Sequence, residues 1–174
     1  MKKIITLCLA VLTAGIVSAQ SGHFEVGAVA GGLNGASAKY WLTNEFGIQA
    51  DLAVGLTQAA TGYKDPFENK WVVVDFGMWD FTLNPNALYH FQLPANIKLY
   101  AGGGFNIGML GSFQGEGIIG KFGLNTIVGA TYDFDNIPLV LGFDFRPGWG
   151  MGFDKEYTSH FFDWKLAASV RYRF

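Results

Sequence analysis

From Phe162 to Phe174 every second residue is apolar or aromatic: Phe162, Trp164, Leu166, Ala168, Val170, Tyr172 and Phe174. The residues between them, Asp163, Lys165, Ala167, Ser169, Arg171 and Arg173, carry four ionisable groups. A period of two belongs to an extended strand with two unlike faces, and a helix does not produce it. The same alternation recurs along the chain. It predicts eight strands over His23–Gly31, Ala36–Leu42, Phe46–Thr57, Met78–Leu93, Ile97–Gly108, Gly120–Phe134, Leu139–Met151 and His160–Phe174. In the fourth, Trp79, Phe81, Leu83, Pro85, Ala87, Tyr89, Phe91 and Leu93 oppose Asp80, Thr82, Asn84, Asn86, Leu88, His90 and Gln92. One face of each predicted strand is free of charge, and the ionisable residues fall on the other.

The beginning of the chain reads differently. Lys2 and Lys3 precede an apolar run from Ile4 to Val17, and Val17-Ser18-Ala19 has the small-residue form of a cleavage site. Residues 1–19 are therefore expected to be a cleaved secretory signal peptide, too short to span a bilayer as a helix, with residues 20–174 forming one mature domain. The single cysteine, Cys8, lies within that leader, which leaves no thiol for a disulfide, a metal site or a nucleophile. Loss of Lys2 and Lys3 takes the formal charge from −2 to −4. With no basic excess, nucleic acid is excluded as a partner. No cofactor motif is present, and no carboxylate spacing matches a calcium loop.

The connections alternate in length. Thr43-Asn44-Glu45, Pro94-Ala95-Asn96 and Asp135-Asn136-Ile137-Pro138 are tight turns. Between them fall a short bend at Leu33-Asn34-Gly35 and three longer loops, at Gln58 to Gly77, Met109 to Ile119 and Gly152 to Ser159. In an up-and-down sheet this puts the tight turns at one end and the loops at the other, the asymmetry of outer-membrane barrels. Pro147-Gly148 is expected to form a bulge near the loop end, and Pro85 a similar irregularity.

Alternation alone does not decide which face looks outward. An apolar face turned inward makes a soluble, lipocalin-like barrel; turned outward, it makes a membrane barrel. The polar face is rich in glycine (Gly27, Gly47, Gly55, Gly102, Gly104, Gly123, Gly129, Gly142 and Gly148), which serves little purpose in solvent but makes room for long side chains inside a narrow barrel. Aromatics gather near the strand ends in two bands. One holds Phe24, Tyr40, Phe46, Tyr89, Phe91, Tyr132, Phe134, Tyr172 and Phe174; the other holds Trp79, Phe105, Trp149, Phe162 and Trp164. These are expected as interfacial girdles. The fold class that follows is all-β, an eight-stranded antiparallel up-and-down transmembrane β-barrel. Its first and last strands pair, because lipid tolerates no open sheet edge.

The stretch "DWKLAASVRYRF" also resembles the closing strand of the small outer-membrane barrels of the OmpA/OmpX-like type in Gram-negative bacteria, in particular those that stand alone as a barrel and end on an aromatic residue. The resemblance implies a place in the cell outer membrane and contact with its lipids, lipopolysaccharide included. It also implies that Trp164, Tyr172 and Phe174 form the signal read by the outer-membrane insertion machinery. Some barrels resembling this one modify lipid A with a serine, a histidine and a carboxylate near the outer rim. Ser159, His160 and Asp163 are the nearest candidates, but adjacent strand residues point to opposite sides, so no triad follows.

On the polar face lie Glu25, Asp51, Asp80, Asp133, Asp144 and Asp163 against Lys39, Lys98, Lys121, Arg146, Lys165, Arg171 and Arg173, six acids and seven bases. Inside a barrel these persist only as hydrogen-bonded pairs, so a ladder of salt bridges filling the lumen is expected, with Asp144 and Arg146 one of its pairs. Eight strands are too few for a large-solute porin. The loops carry Lys64, Asp65, Glu68, Lys70, Asp154, Lys155 and Glu156, a mixed charge suited to lipid headgroups or a protein partner. A monomeric, non-enzymatic envelope barrel is the function expected, with a lipid A-modifying enzyme and a soluble carrier as alternatives.

Overall fold

A computed structural model describes residues 23–64, 71–112, 117–153 and 158–174, apart from the side chains of 58–64, 71–77, 112, 158 and 159. The leader at 1–19 and the loop charges Asp65, Glu68, Lys70, Asp154, Lys155 and Glu156 lie outside the described residues, as does the side chain of Lys64. Eight strands follow one another: β1 (Phe24–Gly31), β2 (Leu33–Trp41), β3 (Phe46–Lys64), β4 (Trp71–Gln92), β5 (Ile97–Ser112), β6 (Ile118–Asp133), β7 (Leu139–Phe153) and β8 (Thr158–Arg173). Each pairs antiparallel with the next, and β1 pairs with β8 to close a barrel. Closure leaves every strand of the wall a partner on both sides, as an apolar solvent demands.

The apolar stripe faces outward. Phe143 and Val128 are 58% and 57% exposed on the outer wall, whereas Asp51 and Arg171 are 0% exposed within it. An inward apolar stripe, and with it the lipocalin-like alternative, is therefore ruled out. A continuous outer surface of Leu, Ile, Val and Phe far exceeds the few hundred Å² that a soluble monomer tolerates. Aromatic neighbours along one rim, Tyr89 with Phe91, Tyr132 with Phe134 and Tyr172 with Phe174, meet edge-on at 4.9–5.0 Å between ring centres.

The tight turns and both ends of the described chain sit together at that rim. Thr43 Oγ1 accepts hydrogen bonds from the backbone N–H groups of Glu45 and Phe46, which closes the β2–β3 turn. Ala95 and Asn96 both adopt positive φ in the β4–β5 turn, and the Asn96 amide reaches Asp135 in the neighbouring β6–β7 turn.

At the other rim the strands run further than the alternation predicts. Most of the loop expected from Gln58 to Gly77 is ladder instead, from Gln58↔Gly77 to Lys64↔Trp71. The segments around Met109–Ile119 and Gly152–Ser159 likewise continue as β5–β6 and β7–β8 pairs. Small and polar residues hide a strand in a window reading, but once a register is established each further pair adds to it at little cost in chain entropy. At the β1–β2 connection the second strand likewise begins earlier than expected. The bend lies at Gly31–Gly32, and the expected bend residues Leu33, Asn34 and Gly35 open β2. Asn34 closes this tip, its side chain accepting from Gly31 N at 3.2 Å and donating to Gly31 O at 2.9 Å. Beyond the tip, β3 pairs directly with β8 through Ala59↔Phe161 and Ala60↔His160.

Neither proline makes a bulge. The β6–β7 ladder lacks pairs at Thr126, Ile127, Arg146 and Pro147, yet Asn125↔Gly148 and Val128↔Phe145 keep one register across the gap. The β4–β5 ladder is interrupted in the same way at Asn84 and Pro85, between Leu83↔Ile107 and Asn86↔Gly104. A missing N–H deletes local bonds, but the long paired stretches on either side hold the register, and no extra residue is inserted.

The luminal glycines make room for large neighbours. A Cβ on Gly129 would lie 2.5 Å from Phe143 O and 2.7 Å from both Asp144 Cβ and Tyr100 Cζ. Gly129→Ala is expected to cost about 1–3 kcal/mol of stability through overpacking. Gly120→Ala, whose Cβ would meet nothing nearer than 3.9 Å, serves as the control. Denaturant unfolding in lipid vesicles checks both, and equal midpoints for the two variants would refute the crowding explanation.

Candidate functional site

The inward positions of the eight strands bring together all thirteen ionisable residues expected on the polar face. They form layers stacked along the barrel axis. Nearest the turn-bearing rim, Arg173 bridges Glu25 at 2.8 Å and Asp133 at 3.0 Å, and Lys98 meets Asp133 at 2.9 Å. Arg171 lies deeper, bonded to Ser37 Oγ at 3.1 Å and Gln49 Oε1 at 3.0 Å, with Glu25 3.8 Å away.

In the middle, Arg146 donates to both Asp144 and Asp51, so the pair expected from the Asp144–Arg146 spacing exists and is extended by a third member. Tyr100 Oη donates to Asp144 at 2.8 Å, and Gln49 donates to Asp51 at 2.9 Å. Two carboxylates thus share one guanidinium and draw further hydrogen bonds from neutral groups, as buried charges require. Asn125 Nδ2 donates to Asn86 Oδ1 at 2.6 Å beside this layer.

Toward the extended hairpins, Asp80 accepts from Lys121 and Lys165, each at 2.6 Å, and from Thr57 Oγ1 at 2.7 Å. Asp163 completes the group, 3.1 Å from Lys165 and 3.7 Å from Lys121. The cluster is neutral, two acids against two bases.

Apolar side chains bound the two inner layers, and the rim layer of Glu25, Lys98, Asp133 and Arg173 lies on the turn side of them. Beyond Lys121, Leu110 and Phe161 are fully buried and packed by Met78 and Ile119, with the Lys121 ammonium 4.7 Å from the Phe161 ring centre. Toward the turns, Leu88, Tyr100 and Ile127 form a second plug. Beneath it the Trp41 and His90 rings meet at 4.2 Å, and Trp41 Nε1 donates to Glu25 Oε1 at 2.9 Å. These plug residues are the part of the site that reading for charge misses. Their signal is parity: Trp41, Leu88, Tyr100, Leu110, Ile127 and Phe161 all fall in phase with the ionisable stripe.

Lys39 differs from the other bases. It is 0% exposed, and among the described residues it has no carboxylate partner. Its Nζ lies 2.7 Å from His90 Nε2 and about 5 Å from the Trp41 and Tyr100 ring centres, at 4.7 and 5.0 Å. A neutral imidazole with its proton on Nδ1, 3.2 Å from Glu45 O, offers Nε2 as the acceptor.

The remaining candidates sit elsewhere. Trp164, Tyr172 and Phe174 project outward from β8 and its end, all well exposed. His160 points outward and stacks on Trp149 at 5.7 Å, while Asp163 is buried in the lumen, so the two are on opposite faces of the wall. The side chain of Ser159 is outside the described set.

No protein-family model and no curated protein matches this chain. Among solved structures, Neisserial surface protein A is similar at 17% identity, with 88% of this chain and 97% of that one covered and a TM-score of 0.56. A major outer membrane protein from Thermus thermophilus is similar at 17% identity, covering 89% of this chain and 100% of that one, with a TM-score of 0.50. At such identities the likeness is one of fold. The outward apolar wall, the closed eight-strand ring and these two structures together give the chain the fold of the small outer-membrane β-barrels.

Proposed function

We propose that the protein is a monomeric outer-membrane barrel with a structural or surface-interaction role in the cell envelope, in membrane integrity or adhesion, and that it neither catalyses a reaction nor passes large solutes. The observation carrying this reading is the lumen. In its two inner layers Asp51, Asp144 and Arg146, and Asp80, Asp163, Lys121 and Lys165, are engaged with one another, and apolar plugs lie above and below them. An eight-stranded barrel has just enough interior for side chains, which supports a lumen filled between the two plugs.

The orientation in the bilayer follows from the asymmetry of the rims. The turns at Thr43, Ala95 and Asn136 face the periplasm, and the extended β3–β4 hairpin faces outward. The lipid-facing wall then meets acyl chains, and the outer rim meets lipopolysaccharide headgroups. Trp164, Tyr172 and Phe174 are the residues offered to the insertion machinery.

Reconstituted in planar bilayers, the protein is expected to give no unitary conductance steps, and its presence in cells to leave lipid A acylation unchanged. Discrete steps would remove the filled-lumen reading; altered acylation would remove the non-enzymatic one.

A further inference from the structure

The turn-bearing rim is not filled. A cavity of about 650 Å³ opens there, floored by Trp41 and His90 and walled by Lys98 and Arg173 on one side and by Glu45 and Tyr89 on another. Its two cations are held from behind and keep donors free. Lys98 gives one bond to Asp133 and stands 4.8 Å from the Trp41 ring centre. Arg173 engages Glu25 and Asp133 through Nε and Nη2, which leaves Nη1 without a partner among the described residues. One layer deeper the buried Lys39, without a carboxylate of its own, adds charge that Glu25 and Asp133 do not cancel. The local balance is Lys39, Lys98, Arg171 and Arg173 against Glu25, Glu45 and Asp133.

We infer that this mouth is a binding site for a carboxylate carried on a compact apolar group, its oxygens taken by Lys98 and Arg173 and its apolar part reaching only the exposed edge of Trp41 at the cavity floor. Pre-positioned cations over a low-dielectric floor favour an anion, because field from Lys39 reaches the mouth with little screening. The volume exceeds that of a simple ion and suits a small organic acid or the C-terminal end of a peptide. Glu45, fixed by the 2.7 Å hydrogen bond from Tyr89 Oη, disfavours a second negative charge on the ligand. This site does not depend on the structural role proposed above; only the compartment it opens into does.

The test is an NMR titration of the folded full-length mature barrel in micelles, following the Trp41 indole N–H. Benzoate against benzamide separates charge from ring. Trialanine as free acid against its amide asks whether a peptide end is the source. The expected result is saturable binding of at least one acid, with its neutral counterpart about tenfold weaker or worse. Lys98→Gln and Lys39→Met should each weaken binding about fivefold, and Glu45→Gln should tighten it about twofold, with folding checked by gel mobility without heating. If only benzoate binds, the ligand is a free organic acid; if the free-acid peptide binds and its amide does not, it is a peptide end. Equal binding of acid and neutral forms, no saturation at tens of millimolar, or indifference to both lysine substitutions overturns the inference. Should either lysine variant fail to fold, the Glu45→Gln result and the acid-to-neutral ratio still decide it.

Discussion

Arg146→Met is expected to lower the unfolding free energy of the vesicle-inserted barrel by about 3–5 kcal/mol, the cost of leaving buried charge uncompensated. Arg146 is 3% exposed and is the cation shared by Asp51 and Asp144, both fully enclosed. Without it, two carboxylates face each other in a low dielectric, with Tyr100 and Gln49 supplying only neutral donors. Methionine fills much of the lost volume, so the effect reports charge more than a cavity. The triple variant Arg146→Met, Asp51→Asn, Asp144→Asn is expected to recover most of the loss, because replacing a whole buried ionic group is often near neutral. Urea unfolding in vesicles of short-chain lipid measures both. A loss under about 1 kcal/mol for the single variant would mean that water reaches this layer and that the lumen is less closed than its packing implies.

Val128→Arg is expected to cost about 2–4 kcal/mol in the same assay, the penalty of a cation at the bilayer midplane on the lipid face of a barrel. Val128 projects from the middle of β6, beside Ala101 of β5 and Phe145 of β7. Ile118→Arg, at the far end of the same strand, should cost no more than about 1 kcal/mol, since the penalty falls toward the interface. The contrast separates a lipid-facing wall from a water-facing one. Were the apolar surface bathed in water, both substitutions would be nearly neutral or favourable, and a flat profile along β6 would overturn the membrane assignment.

The architecture was legible because the membrane forces it into the alternation. Each strand between two solvents must segregate Phe143 from Asp144 or Leu166 from Lys165, so parity alone placed every luminal charge on the correct side. The limits of that reading are equally physical. Thr61, Gly62 and Val72 belong to the extended β3–β4 ladder, along which the alternation fades. Pro147 suggested a bulge because a lost N–H is a local property, whereas register is held by pairs many residues away on either side. Of the partners within the lumen only Asp144 and Arg146, two apart on one strand, were legible. Nothing in sequence spacing brings Asp51 to Arg146 or Lys39 to His90, because those contacts join strands that are not paired and depend on how each strand is offset from its neighbour. Trp41 and Tyr100 were overlooked for the opposite reason: large aromatics usually mark the greasy side, and here they line the polar one.

The brevity of β1 and β2 has a consequence for the surrounding lipid. With eight and nine residues they are shorter than, or at the lower limit of, the about 9–11 that a strand needs to cross, whereas β4 has twenty-two. The first hairpin is therefore the lowest part of the wall, ending at the Gly31–Gly32 tip, above which β3 and β8 pair directly. A bilayer meets such a wedge by thinning beside the low side or by letting the whole cylinder lean, each at a modest cost per ångström of mismatch. Annular lipids next to β1 and β2 should be the most compressed, and the axis of the molecule should incline away from the membrane normal along the line joining that hairpin to the tall strands opposite.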